Sequence, residues 1–362
     1  MIAHVITNFE NRGGAEGLLI RHLCTLKNTD LILISLMKIS ANMASQIPET
    51  VKLVELDSKN ALTMFLSVFK LSKVLKENGV SNLVCWMYHA NIVGSLSKLF
   101  DHKTNIIWNV RHSLDDFAGE KFSTKLAIKL GRFLSWRANR IVFCATRSLD
   151  QHILIKYCDS RKCIHIPNGF IFNYQYENKH NAIRDKKVVI GATGRFHPSK
   201  DYLTLFKALR LAQDSGFLFE LRLAGQDMNV LNDNLVALIK EAGLLLKHVT
   251  FFGFQEDVMK FYKEIDVFIS ASKTEGFPNV LVEAASCGCL CIASNAGDSA
   301  LILSNERRIF PIRDYKKLAE TLSYYLSCDE IEWSSDIDKD IEHIVDSFSI
   351  DKFNKSLVAC YV

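Results

Sequence analysis

Two doubly wound α/β domains, each a parallel sheet covered by helices, are the fold class this sequence predicts, and three observations predict it. The chain has 362 residues, more than one hydrophobic core usually supports, so two domains facing a cleft are expected. Short β-branched runs alternate with longer amphipathic stretches almost from end to end, the pattern of parallel strands joined by crossover helices. That alternation breaks at a polar stretch over 172–187, which contains Asn173, Asn178, Lys179, His180 and Asn181, and then restarts. The expected boundaries are 1–172 for the first domain, 173–347 for the second and 348–362 for a terminal segment.

In the first domain strands are expected near 2–8, 31–36, 51–56, 82–86, 105–110, 140–144 and 163–166, with helices between most of them. In the second they are expected at 188–193, 221–224, 249–252, 267–270 and 290–294. Over 349–358, Ile350, Phe353 and Leu357 are spaced for one face of a helix that packs back on the first domain.

Hydrophobic residues make up 48% of the chain and charged residues 23%, which excludes a disordered protein. No internal repeat is apparent. The first apolar run carries Asn8 and reads as a buried strand rather than a leader, and no stretch approaches the roughly 18 apolar residues needed to cross a bilayer. With ten scattered cysteines, the expectation is a cytoplasmic protein with reduced thiols. In residues 1–183, 23 Lys and Arg face 14 Asp and Glu, a balance of +9; in the remainder 21 face 26, a balance of −5. The basic half suits nucleic acid, an anionic membrane or a phosphate-bearing substrate, and a solvated surface with a chance imbalance fits the same numbers.

In open α/β sheets ligands bind beyond the carboxyl ends of the strands, so the residues after each strand carry the chemistry. Gly13-Gly14-Ala15-Glu16 follows the first strand and opens a helix near Ala15; the glycines allow close approach of a ligand and a helix N-terminus favours phosphate, although Gly-Gly before a helix is often only a turn. His89, within 86–91, and His112, within 109–113, follow successive strands. Imidazole there can donate to a sugar hydroxyl or carry a proton, where a lone histidine is more often structural. In the second domain Arg195 and Lys200 bracket the loop that begins at Gly194. Two such cations can neutralise a departing diphosphate, and otherwise they are exposed loop charges. The most specific stretch is Glu275-Gly276-Phe277-Pro278-Asn279-Val280-Leu281-Val282-Glu283. Pro278 is expected as the first residue of a helix whose free amides face a ligand, with Glu275 in the loop and Glu283 on the second turn. The two carboxylates are acceptors for sugar and ribose hydroxyls.

The pair Glu275 and Glu283, with Gly276, resembles the E-x7-E signature of retaining glycosyltransferases, and Arg195 with Lys200 resembles the Gly-Arg…Lys element of that fold. With Gly13-Gly14-Ala15-Glu16, the His89 and His112 segments and Ile166-Pro167-Asn168-Gly169-Phe170 in the same order, residues 1 to about 325 resemble glycosyltransferase family 4, whose fold is GT-B, two Rossmann-like domains. The resemblance implies that Glu283 binds ribose, Glu275 the donor sugar, Arg195 and Lys200 the diphosphate, and Gly13-Gly14 the phosphates or acceptor, with His89 and His112 facing the reacting sugar. Gly194, Gly276, Phe277, Pro278, Asn279 and Val280 would complete the donor site. Where many members carry a glutamate beyond Ala296-Gly297-Asp298-Ser299-Ala300, this chain has Leu301, so that role is absent or replaced.

The implied reaction moves a sugar from a nucleotide-sugar, expected to be a UDP-sugar, to a hydroxyl of a glycan or polyprenyl-linked acceptor in surface polysaccharide synthesis. Retention at the anomeric carbon would come from front-face displacement, with no metal, no cofactor and no nucleic-acid partner. The basic Lys121, Lys125, Lys129 and Arg132, interleaved with Leu126, Leu130, Phe133 and Leu134, suit an interfacial helix at the inner face of the cytoplasmic membrane, while such a stripe is more often a core-facing helix with a basic outer side. A sugar-nucleotide epimerase of the same fold and a catalytically silent binding protein are the rival readings. Asp336-Ile337-Asp338 resembles a metal-binding D-x-D but reads as a solvated helix face, and Cys287, Cys289 and Cys291 read as buried small hydrophobes.

Overall fold

A computed structural model describes residues 1–361 except 27–28, 101–102, 116, 120 and 173–186; the polar stretch expected as the linker falls almost wholly outside the described residues. The chain divides into two compact units, Met1–Ile171 with Phe348–Val362, and Phe172–Ser347.

The first unit holds a seven-stranded sheet of β1 (Ile2–Ile6), β2 (Leu31–Ser35), β3 (Lys52–Glu55), β4 (Asn82–Trp86), β5 (Asn105–Val110), β6 (Arg140–Phe143) and β7 (Cys163–His165), in the order β3-β2-β1-β4-β5-β6-β7. Its pairings are parallel, which requires a crossover between paired neighbours. The helices are α1 (Gly14–Thr25), α2 (Ala41–Ala44), α3 (Ala61–Glu77), α4 (Met87–Ser97), α5 (Phe122–Leu134) and α6 (Thr146–Leu154). Alternate residues of one strand enter different cores: Ala3, Ile32 and Ile34 pack with α3 and α4, while Ile6, Leu31 and Leu33 pack with α1. Strands buried on both faces read as continuous apolar runs, which is why they are visible in the sequence.

The second unit holds a six-stranded sheet of β8 (Val188–Thr193), β9 (Phe219–Ala224), β10 (Val249–Gly253), β11 (Val267–Ser270), β12 (Leu290–Ser294) and β13 (Ile309–Phe310), in the order β10-β9-β8-β11-β12-β13. Its helices are α7 (Tyr202–Asp214), α8 (Asp233–Glu241), α9 (Val258–Lys263), α10 (Asn279–Ser286), α11 (Ser299–Ile302), α12 (Tyr315–Ser327) and α13 (Glu330–Ser347). Strand β13 has two residues, too few for a periodic signal, and the sequence does not announce it.

Helix α14 (Ile350–Val358) belongs to the first unit. Ser349 caps it by accepting from the Lys352 amide, and Ile350, Phe353 and Leu357 are buried against the core that contains Leu19 and Leu23 of α1. The seam also has a polar contact: His22 Nδ1 bonds Asn354 Oδ1 at 2.6 Å, and the His22 ring stands edge-on to Phe353 at 5.5 Å.

One expectation is corrected. Asp336-Ile337-Asp338 does lie on a helix, but Asp336 is buried. It accepts the Tyr325 hydroxyl at 2.5 Å and the Asn305 amide at 2.8 Å. Four residues on, Asp340 takes both terminal nitrogens of the fully buried Arg308 at 2.5 and 2.8 Å. Asp336 and Asp340 share one helix face, and the face that looks polar in sequence turns inward because Arg308 waits there. A charge inside a protein is tolerable only when paired in this way. Helix α5, for which an interfacial and a core-facing reading were both open, is partly exposed. It buries only Ala127, Ile128 and Gly131 and leaves Phe122, Leu126, Leu130 and Phe133 exposed, so its apolar residues do not all face the core.

His22 and His152 are buried neutral. Burial, with Arg111 or His112 adding to it, lowers each imidazole to about 4, against the pull of the Asn354 and Ser148 bonds. In the unfolded chain both titrate near the ordinary value of about 6.5. Between those values the unfolded state holds more protons, so their contribution is complete above about pH 6.5 and is lost as pH falls towards 4. Each is worth at most about 3 kcal/mol by that shift. Thermal unfolding is expected to start falling below about pH 6.5 and to drop steeply by pH 4.5, with the drop reduced in His152→Gln. A melting temperature flat from pH 7 to 4.5 would contradict the buried-neutral assignment.

Candidate donor and acceptor sites

The loops leaving the carboxyl ends of β8, β9, β11 and β12 are stitched together by backbone. Gly194 N donates to Ala224 O at 3.0 Å, Phe196 N to Gln226 O at 2.9 Å, and Lys273 N to Ser199 O at 2.7 Å. Lys273 also reaches Asp201 at 3.2 Å, and Asp201 holds a left-handed φ of 47° at the start of α7. These ties bring Lys200, at the end of a short 3-10 turn, to Glu275: Nζ and Oε1 are 2.6 Å apart, with 20% and 13% of the side chains exposed. Ser272 donates to the same Oε1 at 2.7 Å, and its own carbonyl accepts from Ser294 at 2.6 Å. Oε2 of Glu275 takes no hydrogen bond among the described residues, so this half-buried carboxylate is fixed through one oxygen and has the other left for a ligand hydroxyl.

The two cations are not equivalent. Lys200 is already paired, whereas Arg195 is exposed and enters no ion pair among the described residues. Pro278 proves to be the residue that caps α10 rather than its first helical residue. Glu283 lies half-buried on the second turn of α10. Phe277 and Pro278 are buried. Tyr262, whose hydroxyl bonds Thr193 Oγ1 at 2.9 Å, is held protonated by burial and then by the Glu283 charge.

Two glycines explain how closely these loops pack. Gly225 has φ +139°, and a Cβ there would overlap the Gly194 carbonyl oxygen; Gly297 has φ +57°, and a Cβ would lie 2.7 Å from Gly276 O and 3.0 Å from the Glu275 Cβ. Gly225, Gly297, Ser272 and Lys273 escaped sequence reasoning because lone glycines and serines after strands are common. Their only signal was position beyond a strand end.

In the first unit Gly13 precedes α1 and Gly14 is its first residue. The Glu16 carboxylate folds back beside Gly13, where a Cβ would sit 2.6 Å from Glu16 Oε2. Burial raises the Glu16 pKa, against the pull of the nearby Glu16 and Gly13 amides. His89, on the first turn of α4 and lowered by burial, lines an apolar cavity of about 420 Å³ walled by Met64, Phe65 and Val68 of α3, Ile92, Val93 and Leu96 of α4, and Leu126, Ala127 and Leu130 of α5. His112 instead lies edge-on to Tyr88 at 5.9 Å, and its carbonyl accepts from Ser148 at 2.5 Å. Tyr88 donates at 2.8 Å to Nε2 of His152, whose Nδ1 proton goes to Ser148 O at 2.7 Å. The two histidines therefore sit in different surroundings. Asp115, bonded to Arg147 at 2.8 Å and Gln151 at 2.6 Å, lies beyond the same strand end and was not foreseen.

Two doubly wound parallel-sheet units with a charged donor-type loop cluster define a GT-B architecture, and solved structures bear this out. The chain superposes on Anabaena Alr3699/HepE, solved with UDP and glucose, with a TM-score of 0.78, 18% identity and coverage of 99% of this chain and 98% of that one. The family profile described as "Glycosyl transferases group 1" matches residues 174–339, within the second unit. The N-acetylgalactosamine-N,N'-diacetylbacillosaminyl-diphospho-undecaprenol 4-alpha-N-acetylgalactosaminyltransferase of Campylobacter jejuni is 26% identical over 251 residues, 66% of this chain and 65% of the relative. The UDP-Gal:alpha-D-GlcNAc-diphosphoundecaprenol alpha-1,3-galactosyltransferase of Escherichia coli is 26% identical over 260 residues, 67% of this chain and 64% of the relative. The aligned part thus spans just under two thirds of these relatives.

Gly225→Ala is expected to lower the melting temperature by roughly 4–10 °C, through positive-φ strain plus the overlap with Gly194. Gly216, at φ +90° with nothing within 4 Å, provides the comparison: Gly216→Ala meets only the backbone strain and should lose less. Equal losses in differential scanning calorimetry would show that the close approach at Gly225 adds nothing.

Proposed function

We propose that this protein is a retaining glycosyltransferase that moves a sugar from a UDP-sugar to a hydroxyl of a lipid-linked glycan during surface polysaccharide assembly. The observation that carries the reading is the Lys200–Glu275–Ser272 cluster beside the exposed Arg195, within the stretch matched by the glycosyl transferases group 1 profile. Glu275 Oε2 would accept a donor-sugar hydroxyl and Glu283 the ribose hydroxyls. Arg195 and Lys200, with the backbone of Gly194 and of Gly276 to Val280, would take up the charge growing on the departing diphosphate. The leaving phosphate would itself remove the acceptor proton, so no metal is required.

The first unit supports a lipid-bearing acceptor. The cavity is apolar and of a size common for small-molecule sites, with His89 in its wall, and α5 sets exposed Phe122, Leu126, Leu130 and Phe133 beside Lys121, Lys129 and Arg132. That combination suits an isoprenoid chain and an anionic membrane surface. Among the described residues no helix is long and apolar enough to cross a membrane, and peripheral attachment at the inner face is part of the proposal. His112 and the Gly13-Gly14 segment would act on the acceptor side.

Release of nucleoside diphosphate from a panel of sugar nucleotides, in EDTA, with and without polyprenyl-diphosphate-linked glycan in anionic vesicles, tests the reaction. Acceptor-dependent release that falls with added salt is expected. Acceptor-independent epimerisation would favour a sugar-nucleotide epimerase, binding without turnover would leave a silent binding protein, and turnover restored only by Mn²⁺ would overturn the metal-free mechanism.

The variants should separate by stage. Arg195 is exposed and unpaired, so Arg195→Ala should leave the melting temperature unchanged and lower kcat by about 10²–10³-fold with a smaller change in donor Kd. Glu283→Gln should chiefly weaken donor binding. Lys200→Ala should cost both turnover and stability, because it strands the half-buried Glu275 carboxylate. Calorimetric Kd beside kcat decides: donor affinity lost in full proportion to turnover in Arg195→Ala would make Arg195 a uniform binding residue.

A further inference from the structure

Ten cysteines are reduced in this chain, and six of them, Cys85, Cys144, Cys287, Cys289, Cys291 and Cys360, are buried. Cys158 and Cys163 are different. Cys158 follows α6 and Cys163 opens the edge strand β7, and the turn between them folds the chain back on itself: Lys162 N donates to Asp159 O at 3.0 Å, and Asp159 accepts from the Arg161 amide at 3.0 Å and pairs with its guanidinium at 2.6 Å. The two sulfurs come to 3.2 Å from each other, and both residues are half-exposed. Closing that gap to a disulfide of about 2.05 Å needs each sulfur to move by only about 0.6 Å.

The two thiols share one contact in which either sulfur can be the donor. Whichever of them ionises is the nucleophile in thiol oxidation, and the other already lies against it. Cys24, the exposed thiol, has no sulfur partner.

We propose that Cys158 and Cys163 form a reversible thiol–disulfide pair, oxidised by a peroxide and reduced by a dithiol. The thiolate of one of the two cysteines attacks one peroxide oxygen, the O–O bond breaks, hydroxide leaves and takes a proton, and a sulfenic acid remains. The other cysteine then attacks that sulfur, the S–O bond breaks, and a second water departs. Two thiols and one hydrogen peroxide give one disulfide and two waters. A dithiol reverses the bond by exchange and leaves as its own cyclic disulfide. The cross-link ties the end of α6 to β7, and Tyr157, next to Cys158, is buried against Trp108, Tyr88 and His152.

The test uses the full-length reduced protein, treated with equimolar hydrogen peroxide, blocked with N-ethylmaleimide and digested with trypsin. Arg161 and Lys162 lie between the two cysteines, so trypsin separates them unless a disulfide joins them. The expected product is one cross-linked peptide pair, two hydrogens lighter than the free peptides, abolished by dithiothreitol. It should form about tenfold or more faster than oxidation of Cys24. In Cys158→Ser and in Cys163→Ser the cross-link must vanish, while dimedone traps a sulfenic acid on the remaining cysteine in at least one of them, with unchanged circular dichroism in both. Maleimide on both cysteines after Cys24 has been oxidised, or no sulfenic acid trapped in either variant, overturns the proposal.

Discussion

Parallel strands cannot be joined by tight turns, so every step from one to its neighbour needs a helix or long connection across a sheet face. That constraint governs both units. It buries the sheets on both sides, turns the strands into continuous apolar runs, and delivers the carboxyl ends of β8, β9, β11 and β12 to one edge. The loops there are free of ladder duties and can carry charge. Arg195, Lys200, Glu275 and Glu283 come from three different loop or helix segments, and only the common strand edge lets segments so far apart in sequence approach.

Charge inside each unit is handled by pairing. Arg308 is fully buried yet forked onto Asp340, with Asp336 on the same face of α13; the three are structural. Lys200 and Glu275 use the same attraction at an exposed loop edge, where Glu275 retains an unused oxygen. The difference is what remains after pairing. A carboxylate with both oxygens taken anchors a helix, while one with an oxygen left can meet a ligand. In the first unit the neutral, buried His22 and His152 hold seams by hydrogen bonds, His22 to Asn354 and His152 to Tyr88 and Ser148, and an added proton would place a charge where water cannot reach it.

Strand positions and the parallel α/β class were legible in the sequence because burial on two faces leaves uninterrupted apolar signals, as at 105–110 and 290–294, where expected and observed strands coincide. Strand β13 was not legible, since two residues have no period. The helix carrying Asp336 was readable, but its burial was not: polarity says which residues prefer water, and only the position of Arg308 decides that Asp336 turns inward. The same limit applies to α5, whose spacing allows either a core-facing or an interfacial helix until its neighbours α3 and α4 are in place.

By itself, the sequence determined two parallel α/β units, the returning helix at Ile350–Val358, the loops in which Arg195, Lys200 and Glu275 lie and the helix that carries Glu283, because these follow from local periodicity and from position after a strand. Tertiary structure alone decided that Lys200 is bound by Glu275 while Arg195 is exposed, and that the sulfurs of Cys158 and Cys163 meet. The two contacts are set by distances of 2.6 and 3.2 Å, and residue spacing along a chain fixes no such distance until turns and sheet edges have closed the space between.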